Sequence, residues 1–141
     1  MLKKLLAFLL DTDALDENGR TPLMEYAAKG RVDMIKWALL QGADLHKRSP
    51  DGRNALMEAV ENGRLEAVTL LIQRGARLND KDLKGHTPLM LGIRSGYQEI
   101  SRILIECGAD LHQGFPTPMM LAQERGDAET LELLKNHGAK S

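Results

Sequence analysis

Gly19-Arg20-Thr21-Pro22-Leu23-Met24 returns 33 residues later as Gly52-Arg53-Asn54-Ala55-Leu56-Met57 and after another 33 as Gly85-His86-Thr87-Pro88-Leu89-Met90. It returns once more as Thr117-Pro118-Met119-Met120, in a unit whose opening is three residues shorter. Two further landmarks keep step with it. A glycine follows each Thr or Asn by nine residues, at Gly30, Gly63, Gly96 and Gly126. Another closes each unit, in Gly42-Ala43-Asp44-Leu45-His46, Gly75-Ala76-Arg77-Leu78-Asn79, Gly108-Ala109-Asp110-Leu111-His112 and Gly138-Ala139. Three landmarks at fixed offsets in four copies define an internal repeat, and a repeat of this length signals a stacked array instead of one wrapped core.

Each landmark has a local physical meaning. Proline has no N–H to lose in the first helical turn, and the Thr before it can cap that turn, so Pro22, Pro88 and Pro118 each start a helix. The second glycine ends that helix about two turns later, where a left-handed residue is wanted. Apolar residues at helical spacing follow: Val32, Ile35 and Leu39; Leu65, Val68, Leu71 and Ile72; Ile100, Ile103 and Leu104. The Gly-Ala pair stops this second helix, and the polar stretch before the next Thr-Pro reads as a reversing hairpin. Two short helices cannot bury their apolar faces alone, so a core exists only where neighbouring units stack.

This pattern resembles the ankyrin repeat, whose signature runs Gly-x-Thr-Pro-Leu-His-x-Ala-Ala-x-x-Gly and later Leu-Leu-x-x-Gly-Ala-Asp-x-Asn; the resemblance covers about residues 16–139. The expected fold is all-α: an α-solenoid of stacked helix-turn-helix ankyrin repeats joined by β-hairpin-like turns. Residues 1–141 are expected to form a single ankyrin-repeat domain. It divides into an N-terminal capping helix (1–15), repeats at 16–48, 49–81 and 82–114, and a shortened C-terminal capping repeat at 115–141. Lys135, standing where Leu39, Ile72 and Ile105 stand in the other units, gives the last helix a solvated outer face, so the array reads as complete.

The departures from the signature carry expectations of their own. The histidine of the family's Thr-Pro-Leu-His is replaced by Met24, Met57, Met90 and Met120. A thioether is a weak acceptor, so packing must replace the imidazole's ties and the coupling between repeats should be softer; the four methionines are expected in the core. Tyr26 is large for its position and is expected to fill space against Leu5, Leu6 and Phe8. Ser101 stands where Ile35, Val68 and Leu131 stand, which should weaken the third unit's core. Trp37 aligns with Leu70 and Ile103 and is expected inside.

Composition excludes several function classes. The chain of 141 residues is 43% hydrophobic and 28% charged, with 19 basic against 20 acidic residues and a net charge of −1. That balance provides no field for nucleic acid or anionic lipid. Met1–Leu10 opens like a secretory signal, but its apolar core is short and no small-x-small cleavage site follows; no segment reaches the length of a membrane span. One cysteine, Cys107, precludes an internal disulfide, and the four histidines fall on turns and helix ends, His46 and His112 two repeats apart. Every glycine has a place in the repeat, leaving no phosphate-cradling loop. The chain is therefore expected to be no enzyme and to need no cofactor or metal.

The resemblance implies binding through hairpin tips and the exposed side of each first helix, which line a groove. Carried onto this sequence, the tip positions are Glu17, Asn18 and Arg20; Pro50, Asp51 and Arg53; and Leu83, Lys84 and His86. The helix positions are Glu25, Ala28 and Lys29; Glu58, Glu61 and Asn62; and Leu91, Arg94 and Ser95. At helical spacing Glu58, Glu61 and Asn62 fall opposite Leu56, Ala59 and Val60, giving basic tips and acidic walls. Such a groove suits a protein surface or charged peptide better than DNA. The expected function is a cytoplasmic, monomeric, non-catalytic adaptor or scaffold that binds another protein, with no nucleic-acid or membrane partner. The alternative is a dedicated inhibitor or immunity-type protein that neutralises one enzyme or toxin.

Overall fold

The computed structural model describes residues 12–139. Among them are eight α-helices and no strands: α1 (Pro22–Lys29), α2 (Val32–Leu40), α3 (Ala55–Glu61), α4 (Leu65–Gln73), α5 (Pro88–Ser95), α6 (Gln98–Glu106), α7 (Pro118–Arg125) and α8 (Ala128–Asn136). The expected capping helix lies outside the described residues except for 12–15, which hold a turn and irregular chain; the expected neighbours of Tyr26 lie outside them too. The chain forms two compact units, Met1–Ala76 and Arg77–Ser141. The first holds α1 to α4 and the second α5 to α8, so the boundary falls inside the second sequence repeat, just beyond its Gly-Ala.

Each helix starts and stops for the reasons its sequence supplies. The side chains of Thr21, Asn54, Thr87 and Thr117 accept a hydrogen bond from the backbone N–H three residues on, closing the first turns of α1, α3, α5 and α7. In α1 the tie is reciprocal, since Met24 Sδ accepts the Thr21 N–H at 3.5 Å. The helices end in one motif, visible at α2: Gly42 N–H reaches the Leu39 carbonyl and Ala43 N–H the Ala38 carbonyl, with Gly42 at φ +92°. The same pair of bonds recurs at Gly75-Ala76, Gly108-Ala109 and Gly138-Ala139, and at Gly30, Gly63, Gly96 and Gly126 behind the first helices.

Within each unit the first helices pack side by side and the second helices back them. In the first unit α1 lies on α3, with α2 and α4 behind; in the second, α5 lies on α7, with α6 and α8 behind. Leu23, Met24, Ile35, Leu56, Met57 and Leu71 are fully buried in the first unit, and Leu89, Ile93, Leu104, Met119 and Leu134 in the second. Burying each such side chain contributes about 1.5–3 kcal/mol.

The interior departs from expectation at Met120 and Trp37. Met24, Met57 and Met90 are buried, but Met120 is 41% exposed. Met90 is covered by the next turn, its Sδ lying 2.6 Å from where a Cβ on Gly114 would sit. Ser101 is buried without an orphaned hydroxyl, because its Oγ donates to the Tyr97 carbonyl at 2.9 Å. Trp37 is half-buried.

Successive repeats are tied by side chains that reach the neighbouring backbone. Arg64 Nε donates to the Ala28 carbonyl at 3.0 Å in the first unit, and Arg125 Nη1 to the Arg94 carbonyl at 2.9 Å in the second. These carbonyls occupy the same repeat position, near the end of the first helix, although the two arginines come from different positions. Asn79 Oδ1 accepts the Asp110 N–H at 2.7 Å, Gln98 Nε2 donates to Asp127 at 2.9 Å, and Arg102 pairs with Glu129. Such bonds supply coupling that the missing histidines do not.

Candidate partner-binding face

The turns that carry the tip residues are closed by their own backbone. Asp16 N–H reaches the Arg20 carbonyl, Ser49 N–H the Arg53 carbonyl and Asp82 N–H the His86 carbonyl, while Gly19, Gly52 and Gly85 donate back to Asp16, Ser49 and Asp82. Asp16 Oδ1 also accepts the N–H groups of Asn18 and Arg20, and Asp82 Oδ1 those of Lys84 and His86. Within the first unit the turns stack closely: a Cβ on Gly19 would sit 2.6 Å from Pro50, and φ of +74° already favours glycine there. A turn so closed holds its tip residues without using their side chains. Glu17, Asn18, Asp51 and Lys84 are exposed accordingly.

Glu58 sits at the centre of the first unit's face. Its carboxylate bridges two repeats, taking Arg20 Nη2 at 2.9 Å on one oxygen and Arg53 Nε at 2.8 Å on the other. Arg20 also pairs with Glu25 at 2.9 Å, and Arg53 also pairs with Glu61 and reaches the Met57 carbonyl. The Glu58 side chain is 11% exposed, so the residue read as an open groove wall is instead enclosed by guanidinium groups. The expected basic tips and acidic walls are both present, but they meet one another. Lys29, Glu61 and Asn62 are exposed on the flanks of α1 and α3, and Asn62 Nδ2 donates to the Glu58 carbonyl.

In the second unit the equivalent positions carry different chemistry. His86 replaces Arg20 and Arg53, Leu91 replaces Glu25 and Glu58, and Arg94 replaces Glu61. Arg94 Nη1 lies 2.9 Å from His86 Nε2. A guanidinium can only donate, so Nε2 accepts and the ring proton sits on Nδ1, facing Asp82 Oδ2 at 3.4 Å. Leu91, placed by its repeat position on the groove side, is fully buried; Arg94 and Ser95 are exposed.

Residues of the fourth repeat that the three full repeats did not suggest join this face. An open cavity of 440 Å³ is lined by Arg94, Leu121, Glu124 and Arg125. Carrying the register across the shortened opening, a shift of 30 from the third unit, would have placed Leu121 opposite Leu91 and Glu124 opposite Arg94. Nearby Asp127 starts α8. Burial raises its pKa, but hydrogen bonds from the Thr130 side chain and backbone and from Gln98, with the Arg125 charge, outweigh that and hold it below the ordinary carboxylate value. Among the described residues no three His, Cys, Asp or Glu side chains converge as metal ligands do, and no helix is long and apolar enough to cross a membrane.

Known proteins carry the same organisation. The family model for ankyrin repeats (3 copies) matches residues 1–82 and 27–115. The chain is also similar to the crystal structure of an ankyrin repeat domain from Acinetobacter baumannii, at 33% identity and a TM-score of 0.88, over 92% of this chain and 70% of that one. With the 33-residue register, the paired helices and the uniform helix ends, these likenesses show that the chain belongs to the ankyrin-repeat family.

Proposed function

We propose that this protein is a non-catalytic interaction module, an adaptor or scaffold, that holds a partner protein against its turn tips and the outer flanks of the first helices. Members of the family generally serve protein–protein interaction, and one observation carries the reading to this chain. The turns and helix ends are closed by backbone bonds, and on those turns and the short first helices Glu17, Asn18, Lys29, Asp51, Glu61, Asn62, Lys84 and Arg94 stand exposed. A backbone closed in advance presents these side chains to a folded surface with little main-chain ordering cost. The ionisable groups behind them, Arg20, Glu25, Arg53, Glu58 and His86, are engaged with one another or with Asp82, which supports a structural over a catalytic role. The free thiol of Cys107 suits the cytoplasm.

The test is affinity capture from the native host with wild-type protein and with Lys84→Glu combined with Asp51→Lys. The expected result is a partner lost by the double variant while circular dichroism and melting temperature are unchanged. A partner retained at equal affinity would overturn the assignment of this face.

A further inference from the structure

Four repeats offer the same two positions on the first helix, and their residues change character along the chain. The inner position reads Glu25, Glu58, Leu91, Leu121, and the rim position three residues on reads Ala28, Glu61, Arg94, Glu124. In the first unit the inner carboxylates are already bonded, Glu25 to Arg20 and Glu58 to Arg20 and Arg53. A partner's charge would have to displace a partly desolvated pair, which gains little. In the second unit the inner position is apolar, and the two arginines at the cavity touch only uncharged acceptors: Arg94 gives an N–H to His86 Nε2, and Arg125 gives one to the Arg94 carbonyl. Among the described residues neither forms an ion pair, and a guanidinium carries five N–H donors, so each has more donors than these bonds use, although Arg125 lies against Gly96.

From this contrast we infer that the cavity of the second unit anchors the partner, and that its occupant is a protein segment in which an aspartate or glutamate lies next to a large apolar side chain. The inference rests on the interaction-module reading and specifies its chemistry. The apolar side chain seats on Leu121 within the 440 Å³ cavity, and the carboxylate is taken by Arg94 and Arg125 in the bidentate geometry that guanidinium matches. Glu124 on the same rim, and Asp127 whose carboxyl feels the Arg125 charge, already offset the two positive charges, so the cavity suits a single carboxylate better than a phosphate dianion. The same unit also exposes apolar side chains: Leu83 at the third turn's tip is 78% exposed, Phe115 before α7 83% and Met120 on α7 41%.

The experiment is selection from a random-peptide phage library on the full chain, followed by fluorescence polarisation with the enriched peptides. Enriched sequences are expected to hold Asp or Glu within two residues of Leu, Ile or Phe. Arg94→Glu is expected to weaken the best peptide at least tenfold, Glu124→Lys to tighten it several-fold, and the control Lys135→Glu on α8 to leave it unchanged. A merely structural effect of substitution would not strengthen binding. Enrichment of basic peptides, undiminished binding by Arg94→Glu, or stronger competition from single-stranded DNA than from acidic peptide would each overturn the inference. A host protein that is captured by wild type and survives Arg94→Glu sinks this anchor alone. A chain that captures no protein and selects no peptide sinks the interaction-module reading with it.

Discussion

Arg64 lies over Gly30: its Cδ is 2.9 Å from where a Cβ on that glycine would stand, and its Nε donates to the Ala28 carbonyl two residues before. Gly30 also has φ of +69°, so two separate demands exclude a side chain there. Gly30→Ala should lose about 1–2 kcal/mol from the left-handed backbone and about 1 kcal/mol more as Arg64 is pushed off its acceptor. Gly126→Ala, at φ +68° with nothing within 4 Å of the added methyl, should show the backbone cost alone. Urea unfolding of the two variants separates the terms, and equal losses would contradict the Arg64 contact.

Removing the shared acceptor at Glu58 should be the costliest polar change on the first unit. Glu58→Ala leaves Arg20 and Arg53 each short of one partner in a half-buried setting, while Glu25 and Glu61 still hold the other sides. A loss of about 1.5–3 kcal/mol is expected, the range for hydrogen bonds to charged groups. The fully exposed alternative, Glu17→Ala, should stay within about 0.5 kcal/mol. A chemical denaturation midpoint for Glu58→Ala no lower than that for Glu17→Ala would refute the bridge.

Asp127 makes stability depend on acid. Its folded pKa lies below the ordinary value, so its contribution is fully present above that value and is lost as pH falls through the folded one. Asp127→Ala should cost about 1 kcal/mol at neutral pH, as the loss of a helix cap does. The gap between variant and wild type should narrow as the solution is taken below about pH 4. Melting temperatures of both proteins across that range check the sign, and a gap that widens on acidification would be decisive against it.

The methionine position should respond unequally along the chain. Met90, buried beneath the next turn, should lose about 2–5 kcal/mol on conversion to alanine. Met120→Ala should lose less, about 1 kcal/mol, because that residue is already 41% exposed. Thermal denaturation of the two variants reads the difference directly.

The fold was legible because glycine, proline and capping residues act through the backbone. Thr21-Pro22 opens α1 and Gly42-Ala43 closes α2 by bonds that depend little on what surrounds them, so a periodic set of such residues reports structure without tertiary knowledge. The chemistry of the face was less legible, because it depends on which side chains meet. Glu58 reads as an exposed helix carboxylate until Arg20, 38 residues earlier, is known to lie 2.9 Å away. Leu121 and Arg125 stand at the same offsets from Thr117 as Leu91 and Ser95 do from Thr87, but the groove positions carried over from the family stop at the third full repeat. The burial of Leu91 follows from its neighbours in space, which helical periodicity alone does not supply.

The uniform closure of the helix ends separates heritable shape from heritable recognition. Since Gly-Ala pairs close helix ends by main-chain bonds and threonine hydroxyls cap helix starts, a lineage can exchange the residues at Glu17, Asp51 or Lys84 without renegotiating its architecture. New specificity is then open to single-codon steps, and an engineer could write a chosen target onto those same positions.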